Sequence, residues 1–529
     1  MTTSMTDNSQ LLEFASKLQG QFIASTPLQH RRVRGQYFTP ASVARFMAGL
    51  ISSPSTRVRV LDAGAGTGML SAAICDRFMR IRTPRRIELV LFESDPLALP
   101  LLEQNMKRCR SELHQAGHEM TYSLRCSDFV LCNQPSCDQE LLFDNTQEPG
   151  DYDAAIMNPP YFKLNKESAH AQAFERIVHG QPNIYALFMA TASTLLRAGG
   201  ELVAITPRSF CSGPYFRAFR RWLFARMSLR HLHLFDSRTD TFREADVLQE
   251  SLITLFTKGR NECASIRLST SHGADFHAEN GVSEYPSTQI IDDSDRSLIV
   301  RIPANLIDMQ IMEIIEQWPA RFRDMGLQIS TGPVVTFRAT DFLLETADHS
   351  AAVPLFYPHN VRPFETCWPI ARNGKPLAFR ACPESERLLL PTKNYVFLRR
   401  FSAKEEHRRL TASCFLPMQG HWPSRIAVEN HVNYVYHRQR DLSDMEALGI
   451  AGYFNSAFLD RYFRCLSGNT QVNATEIRAM PFPSLLTLTE LGCRIKRINL
   501  ASREAVEHAV MEVLRITGAI ARKMVECAA

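Results

Sequence analysis

A short apolar strand that runs into a glycine-rich turn and then a helix is the feature that most constrains the fold of this chain. The strand is Val58–Leu61, the turn Asp62–Gly68 reads D-A-G-A-G-T-G, and residues 69–78 have the apolar spacing of a helix. The alternation continues, with predicted strands at 87–92, 153–157, 201–206 and 252–256 and predicted helices at 97–110 and 184–196. This pattern predicts an α/β fold with a doubly wound, mostly parallel sheet, which binds ligands at the carboxyl ends of its strands.

The glycine turn has the character of a cofactor loop. Gly64, Gly66 and Gly68 allow a tight turn and a close approach of backbone to ligand. A nicotinamide site would instead read G-x-G-x-x-G and hold a pyrophosphate at the helix N-terminus. Here Asp62 precedes the turn, and a carboxylate suits a cationic or amino-bearing ligand better than a pyrophosphate. S-adenosylmethionine, with its sulfonium and ammonium groups and no phosphate, is therefore the predicted cofactor.

The next predicted strand ends at Glu93, at a distance from the turn that suits the ribose of the same cofactor. A carboxylate in that position can accept hydrogen bonds from both ribose hydroxyls. The alternative is a solvated strand end without a ligand.

The stretch Asn158-Pro159-Pro160-Tyr161 follows the strand at 153–157. The Asn158 side-chain oxygen and the Pro159 carbonyl can each accept one N–H of a planar amine. The nitrogen lone pair then turns towards an electrophilic methyl group, without a strong base. The prolines stiffen the turn, and Tyr161 offers a ring on which a base can stack. A plain structural turn is the alternative. Together with the glycine turn, this stretch predicts methyl transfer onto an exocyclic nitrogen.

At these motifs the chain resembles the gamma-class DNA adenine-N6 methyltransferases of type II restriction–modification systems. The stretch G-Q-Y-F-T-P at 35–40 looks like the N-terminal motif of that family, which closes over the methionine part of the cofactor. Ser127-Asp128-Phe129 resembles the site where the family holds the cofactor's adenine, and Thr241-Phe242 resembles the place where it stacks a second aromatic on the flipped base. The segment 131–150 is longer than expected beside Asp128, and a plain core phenylalanine is the alternative for Phe242.

The resemblance implies the class I S-adenosylmethionine methyltransferase fold and assigns residues to two roles. The implied cofactor-binding residues are Phe38, Thr39, Asp62, Gly64, Gly66, Glu93, Asp128 and Phe129, and the implied catalytic residues are Asn158, Pro159, Tyr161 and Phe242. It also implies double-stranded DNA as substrate and a separate restriction endonuclease as functional partner.

Four parts of the chain are predicted. Residues 1–30 form a tail and short helix, 31–260 the catalytic domain, and 261–300 a polar, turn-rich linker. Residues 301–529 form a mixed α+β target-recognition domain, in which 329–332, 455–456, 467–473 and 480–483 resemble segments of the family. Amphipathic helices are predicted at 302–318 and 501–525, with irregular structure across 330–483.

Residues 391–440 concentrate positive charge, while the net charge of the whole chain is only +5. The stretch contains three acidic residues and interleaved aromatic residues. Its nine lysines and arginines are Lys393, Arg399, Arg400, Lys404, Arg408, Arg409, Arg425, Arg438 and Arg440. Such a stretch favours contact with phosphates, and a methyltransferase acting on a duplex must swing its base out of the stack. The alternative is a basic surface over a β-rich domain whose core holds the aromatics.

Other classes of function find less support. The N-terminus has no secretory signal, no apolar run is long enough to span a bilayer, and the 13 cysteines include no Cys-x-x-Cys pair. A bacterial cytoplasmic, nucleoid-associated monomer without a metal is therefore predicted. An RNA or protein-glutamine amino-methyltransferase stays open as an alternative, as does a DNA-binding protein with a relic catalytic domain.

Overall fold

The protein is described by a computed structural model that divides the chain into two compact units, Met1–Arg301 and Ile302–Ala529. The described residues are 9–52, 55–133, 151–175, 177, 182–235, 251–259, 264–271, 273, 276, 282–291, 298–402, 406–417, 422–467, 471–500 and 502–528. None of the helices in these ranges is long and apolar enough to cross a bilayer.

The first unit is built on a nine-stranded sheet in the order β3-β2-β1-β4-β5-β7-β6-β8-β9. All pairs from β3 to β5 are parallel, whereas β7 is antiparallel to both β5 and β6. The strands are β1 Arg57–Ala63, β2 Arg86–Phe92, β3 Glu119–Arg125, β4 Tyr152–Met157, β5 Leu196–Pro207, β6 Met227–Phe235, β7 Ser251–Lys258, β8 Ser265–Ser271 and β9 Ser283–Pro286.

Helices cover both faces of this sheet. They are α1 Gln10–Ser25, α2 Leu28–Val33, α3 Ala41–Gly49, α4 Met69–Met79, α5 Leu99–Gln115, α6 Phe129–Cys132, α7 Ala169–Ala173, α8 Ile184–Leu195, α9 Arg217–Phe224 and α10 Ser287–Ile290. One group packs together as α1, α3, α4 and α5, and a second as α6, α8 and α9, with α3 and α8 each touching the sheet. The predicted doubly wound α/β sheet is thus confirmed.

The central strands are buried towards their carboxyl ends. Both β1 and β2 begin at an exposed arginine, and the last four residues of each are buried. Helices on both faces exclude water there, which explains why these strands read as nearly continuous apolar runs. The glycine turn follows directly after the buried carboxyl end of β1, and Glu93 follows directly after that of β2.

Several boundaries differ from the sequence prediction. The stretch 261–300, predicted to be a linker, instead adds β8 and β9 to the sheet. Strand β5 begins at Leu196, the last residue of the predicted helix, and runs through Gly199-Gly200, whereas the strand was predicted to begin at residue 201. Helix α1 packs Leu11, Leu12 and Ala15 into the core of the first unit. Polar residues hid the added strands, because β8 buries Ser269 and Ser271 as well as Ile266 and Leu268.

The second unit combines two five-stranded sheets, in the orders β10-β19-β16-β17-β13 and β11-β14-β12-β18-β15, with helices. Its elements are α11 Leu306–Glu316, β10 Leu327–Thr331, β11 Leu343–Leu344, β12 Ala352–Phe356, β13 Phe364–Glu365, β14 Ala378–Arg380, β15 Leu389–Pro391, β16 Tyr395–Arg399, β17 Ala412–Phe415, β18 Arg425–Val428, β19 Val432–His437, α12 Asp444–Phe454, α13 Ala457–Leu466, α14 Ala474–Ala479, α15 Leu485–Ile495, α16 Arg503–Val513 and α17 Gly518–Glu526.

Two predictions for this unit were wrong. The stretch 330–483, predicted to be irregular, contains both sheets, whose strands are too short for a clear alternating pattern. The helix predicted at 501–525 is two helices, because Arg515 and Gly518 adopt left-handed backbone angles of +57° and +73° between them.

Candidate active site

A cleft of about 270 Å³ opens at the carboxyl edge of the first unit's sheet. Its wall brings together, from the sequence-predicted set, Phe38, Thr39, Gly64, Gly66, Glu93, Asp128, Phe129 and Asn158. These residues come from five separate stretches of chain. Parallel strands end at the same edge, which is why they meet.

The glycine turn between β1 and α4 has a backbone that only glycine adopts readily. Gly64, Gly66 and Gly68 have φ angles of +84°, +55° and +89°. A Cβ on Gly68 would lie 2.8 Å from the Leu102 side chain and 3.0 Å from that of Asn105. The turn is therefore fixed both by its own conformation and by tight packing of α4 against α5.

Glu93 joins the glycine turn to the end of β2. Its two carboxylate oxygens each accept a backbone N–H, from Gly66 at 2.7 Å and from Asp95 at 2.7 Å. Burial raises the pKa of Glu93, and these two hydrogen bonds oppose that rise. Each oxygen keeps a second lone pair, so the ribose contact predicted from the sequence is chemically possible.

Asp62 lies beneath the glycine turn and not in the cleft wall, and it is 1% exposed. One carboxylate oxygen accepts a hydrogen bond of 2.6 Å from the Ser71 hydroxyl on α4. The other, Oδ1, has no hydrogen-bond partner among the described residues. Burial raises the pKa of Asp62 to about 7, with Glu93 adding to the rise and Ser71 opposing it.

Asp128 and Phe129 occupy the far side of the cleft. The Asp128 carboxylate caps α6 by accepting the Leu131 N–H at 2.9 Å and lies 2.8 Å from the His170 imidazole. Burial alone would raise the pKa of Asp128, but these hydrogen bonds outweigh it and the pKa lies below its usual value. Phe129 packs between the rings of Phe92 and Phe188, at 5.2 and 5.3 Å.

The orientation of the Asn158 amide follows from its neighbours. Its Nδ2 donates to the Tyr37 carbonyl at 2.8 Å and to the Thr39 hydroxyl at 3.0 Å. A backbone carbonyl only accepts, so the NH₂ group must face it and Oδ1 must point the other way. Oδ1 accepts from the Tyr161 hydroxyl at 2.6 Å and keeps one lone pair.

Tyr161 is held at both ends. Its hydroxyl also lies 2.9 Å from the Ile205 carbonyl, and its ring stacks on Tyr37 at 5.5 Å and 20°. Burial raises the pKa of Tyr161, so the group stays neutral. The next residue, Phe162, is 36% exposed and lines the cleft, which makes it a second aromatic surface beside the turn.

A segment of residues 30–39, here called the 30–39 segment, connects the two halves of the site. Asp95, fully buried after β2, accepts hydrogen bonds of 2.9 Å from His30 and from Gln36. A Cβ on Gly35 would lie 2.9 Å from Phe162 and 3.2 Å from Pro160. The segment is therefore anchored to the end of β2 and packed against the Asn158 turn.

Sequence reasoning missed Asp95, His30, Gln36 and His170. Asp95 had a visible signal, since it is a second acid two residues after Glu93 at the same strand end. Its partners had none, because the 30–39 segment reaches β2 only through the fold. The predicted residue Phe242 and the segment 134–150 lie outside the described residues.

The basic stretch of the second unit is largely committed to contacts within that unit. Arg409 is 1% exposed and donates to the Ser467 carbonyl, Arg440 pairs with Glu446 at 2.6 and 2.7 Å, and Arg425 pairs with Glu386. Its aromatics Tyr395 and Phe397 are buried in the core, as the alternative interpretation expects. Lys404 lies outside the described residues.

A parallel α/β sheet with a glycine turn, a buried acid at the next strand end and an Asn-Pro turn on one edge defines a methyltransferase. Comparison with known proteins supports that class. The sequence model of one family, Eco57I restriction-modification methylase, matches residues 88–242. The chain is 32% identical over 462 residues to the type II methyltransferase M.PstI of Providencia stuartii, covering 87% of this chain and 89% of that protein.

A second relative, the type II methyltransferase M.BsuBI of Bacillus subtilis, is 33% identical over 488 residues, covering 91% of this chain and 94% of that protein. The chain therefore belongs to the type II methyltransferases of restriction–modification systems. Among solved structures, the type IIL restriction-modification enzyme MmeI in complex with DNA is similar in fold, with a TM-score of 0.50 at 9% identity, covering 98% of this chain and 78% of that one.

Proposed function

We propose that this protein transfers a methyl group from S-adenosylmethionine to N6 of an adenine within a short site in duplex DNA. The modification protects that site from a separate restriction endonuclease. The observation that carries the proposal is the setting of Asn158 at the wall of the glycine-turn cleft, with its amide oriented and one oxygen lone pair free.

The residues of the Asn158 turn act on the amine by position. Asn158 Oδ1 accepts one N–H of the adenine amino group, and the Pro159 carbonyl accepts the other. Because Tyr37 and Thr39 accept hydrogen bonds from Asn158 Nδ2, the amide is already oriented and Oδ1 needs no reorganisation when the amine binds. Tyr161 or the exposed Phe162 offers a face for the base.

The cleft offers the acceptors that S-adenosylmethionine requires. When bound, this cofactor supplies an electrophilic methyl group on a sulfonium. Glu93 and Asp128 line the cleft as carboxylates with unused lone pairs, for the ribose hydroxyls and the adenine amino group. Phe129 and Phe38 supply apolar surface. Asp62 Oδ1, beneath the glycine turn and outside the cleft wall, is a buried acceptor for which the described residues supply no donor.

The 30–39 segment then acts as the cover of the cofactor site, and Asp95 as its positioning residue. Asp95→Asn removes the charge that accepts from His30 and Gln36. We expect the dissociation constant of S-adenosylmethionine to rise roughly tenfold or more, the factor that corresponds to one lost hydrogen bond to a charged group. Isothermal titration with the cofactor measures this.

A matched control is Glu119→Gln, which removes an exposed ion pair with Arg86 at the opposite, amino-terminal edge of the sheet. That variant should bind the cofactor as the parent protein does. Equal cofactor affinity in Asp95→Asn and in the parent would show that the 30–39 segment does not depend on this anchor.

The proposed function is tested by sequencing modified bases in DNA from a host that expresses the protein. We expect N6-methyladenine within one short sequence, and none in a host that carries Asn158→Ala. Methylation confined to cytosine, or no methylation, contradicts the proposal. Label transfer from radioactive S-adenosylmethionine to RNA or to protein, and not to duplex DNA, would favour the two alternative substrates instead.

A further inference from the structure

A pocket within the second unit gathers positive charge far in sequence from the catalytic turn. It has a volume of about 290 Å³ and is lined by Arg399, His407, Arg408 and Arg503, with Phe364 and Leu500 on an apolar side. The three arginines come from the end of β16, from the segment before β17 and from the start of α16. The fold, and not the local sequence, brings them together.

Arg408 and Arg503 repel each other, and both disfavour the charged form of His407. Burial lowers the pKa of His407, and Arg408 and Arg503 lower it further. Burial also lowers the pKa of Arg408, with Glu507 and Asp460 opposing the change and Arg503 adding to it. An anion bound in the pocket would reduce this repulsion between like charges.

One acid, Glu406, lines the pocket, whereas the two acids that act electrostatically on Arg408, Glu507 and Asp460, are committed to other donors. Glu507 accepts from the N–H groups of Ala457 and Phe458 at 2.7 and 3.1 Å. Asp460 accepts from the Arg409 and Leu410 N–H groups and from the Arg464 side chain. Among the described residues, neither acid forms an ion pair with Arg408 or Arg503.

The stability of helix α16 does not explain the presence of an arginine at position 503. Arg503 is exposed and occupies the first turn of α16, where the positive end of the helix dipole disfavours a cation. Arg399 is anchored differently, because its Nε donates to the Val361 carbonyl at 2.9 Å, and its other N–H groups have no partner in the part of the chain that the structure describes.

We propose that this pocket binds a phosphoryl group, held by Arg408 and Arg503 with Arg399 on the third side. Guanidinium groups that converge from three elements suit a tetrahedral phosphate better than a planar carboxylate, and arginine binds phosphate through paired N–H donors. The apolar side formed by Phe364 and Leu500 can receive a sugar. A backbone phosphate of duplex DNA is the favoured source, which rests on the proposed function; a free nucleotide carries the same chemistry.

The test compares full-length parent protein with Arg503→Gln and Arg408→Gln. Binding to a duplex of random sequence is measured over a range of salt concentrations. We expect the slope of log K against log salt to fall by about 0.9 in Arg503→Gln, the value for one phosphate contact on duplex DNA. The control Arg494→Gln removes an exposed cation on α15 that pairs with Glu512 on α16, and should leave the slope unchanged.

A second arm adds inorganic phosphate and deoxyadenosine monophosphate and follows the melting temperature. If either ligand protects the parent but not Arg503→Gln, while the DNA slope is unchanged, the pocket binds a free phosphoryl group. If both variants keep the parent's DNA slope and phosphate response, the proposal is wrong. Methyl transfer to DNA is measured on the same preparations, so a parent without transfer but with the phosphate response would sink only the proposed function.

Discussion

Asn158→Ala should lower the rate of methyl transfer to DNA by about 10²- to 10³-fold, the range found when one preorganised hydrogen-bonding group of an active site is removed. The variant loses the acceptor for the amine and also the amide that holds Tyr37 and Thr39. Cofactor affinity should fall by less than about tenfold, since those two hydrogen bonds join neutral groups. Single-turnover transfer and cofactor titration separate the two effects.

Tyr161→Phe is the graded control for this prediction. It keeps the ring on Tyr37 and removes only the hydroxyl that donates to Asn158 Oδ1. The loss in transfer rate should stay within about tenfold, as for one neutral hydrogen bond. Transfer by Asn158→Ala at more than a tenth of the parent rate would contradict the assigned role.

Asp62→Asn should make the apoprotein more stable at pH 8 and weaken its binding of S-adenosylmethionine. The pKa of Asp62 is raised from its ordinary value of 3.8 to about 7, so the folded state keeps a proton that the unfolded state releases. Between these values the free energy of unfolding falls as pH rises, by an amount on the order of 4 kcal/mol from this group. Above pH 7 the folded state has the full cost of a buried, charged Asp62 carboxylate. The uncharged asparagine amide does not have this cost.

Calorimetry of the apoprotein between pH 4 and pH 8 measures the first effect, and cofactor titration the second. Glu507→Gln is the matched control, because burial also raises the pKa of Glu507 to about 7, but in the second unit. Like Asp62→Asn, Glu507→Gln should reduce the fall in the free energy of unfolding as pH rises. It should leave cofactor binding unchanged. A melting temperature of Asp62→Asn at or below the parent's at pH 8 would refute the stability argument.

The sheet and the placement of its two loops could be predicted because both depend on local sequence. Gly64, Gly66 and Gly68 specify a turn by themselves, and Asn158-Pro159 follows an apolar strand. The hydrogen-bond acceptors of the Asn158 amide could not be predicted. Tyr37 and Thr39 lie about 120 positions earlier in the chain, and only the order of strands in the sheet brings them to Asn158. The anchoring of the 30–39 segment by Asp95 was missed for the same reason.

Charge in the second unit was harder to interpret. The sequence shows that Arg409, Arg425 and Arg440 are basic, but it does not show that the fold gives each a partner of its own. Arg408 and Arg503, for which the described residues provide no ion pair, are separated by almost a hundred positions and gave no common signal. Pairing is a property of the folded chain, so a count of basic residues overstates the surface free for DNA.

The attachment of the 30–39 segment to both Asp95 and the Asn158 turn has a kinetic consequence. If the 30–39 segment covers the bound cofactor, as proposed above, cofactor exchange requires that His30 and Gln36 separate from Asp95 and that the Tyr37 carbonyl separates from Asn158. Under that proposal, cofactor exchange and methyl transfer require different positions of the 30–39 segment. The steady-state turnover rate should then equal the rate at which the 30–39 segment separates from the site. A pre-steady-state burst of one methylated site per enzyme would be the signature of this rate-limiting step.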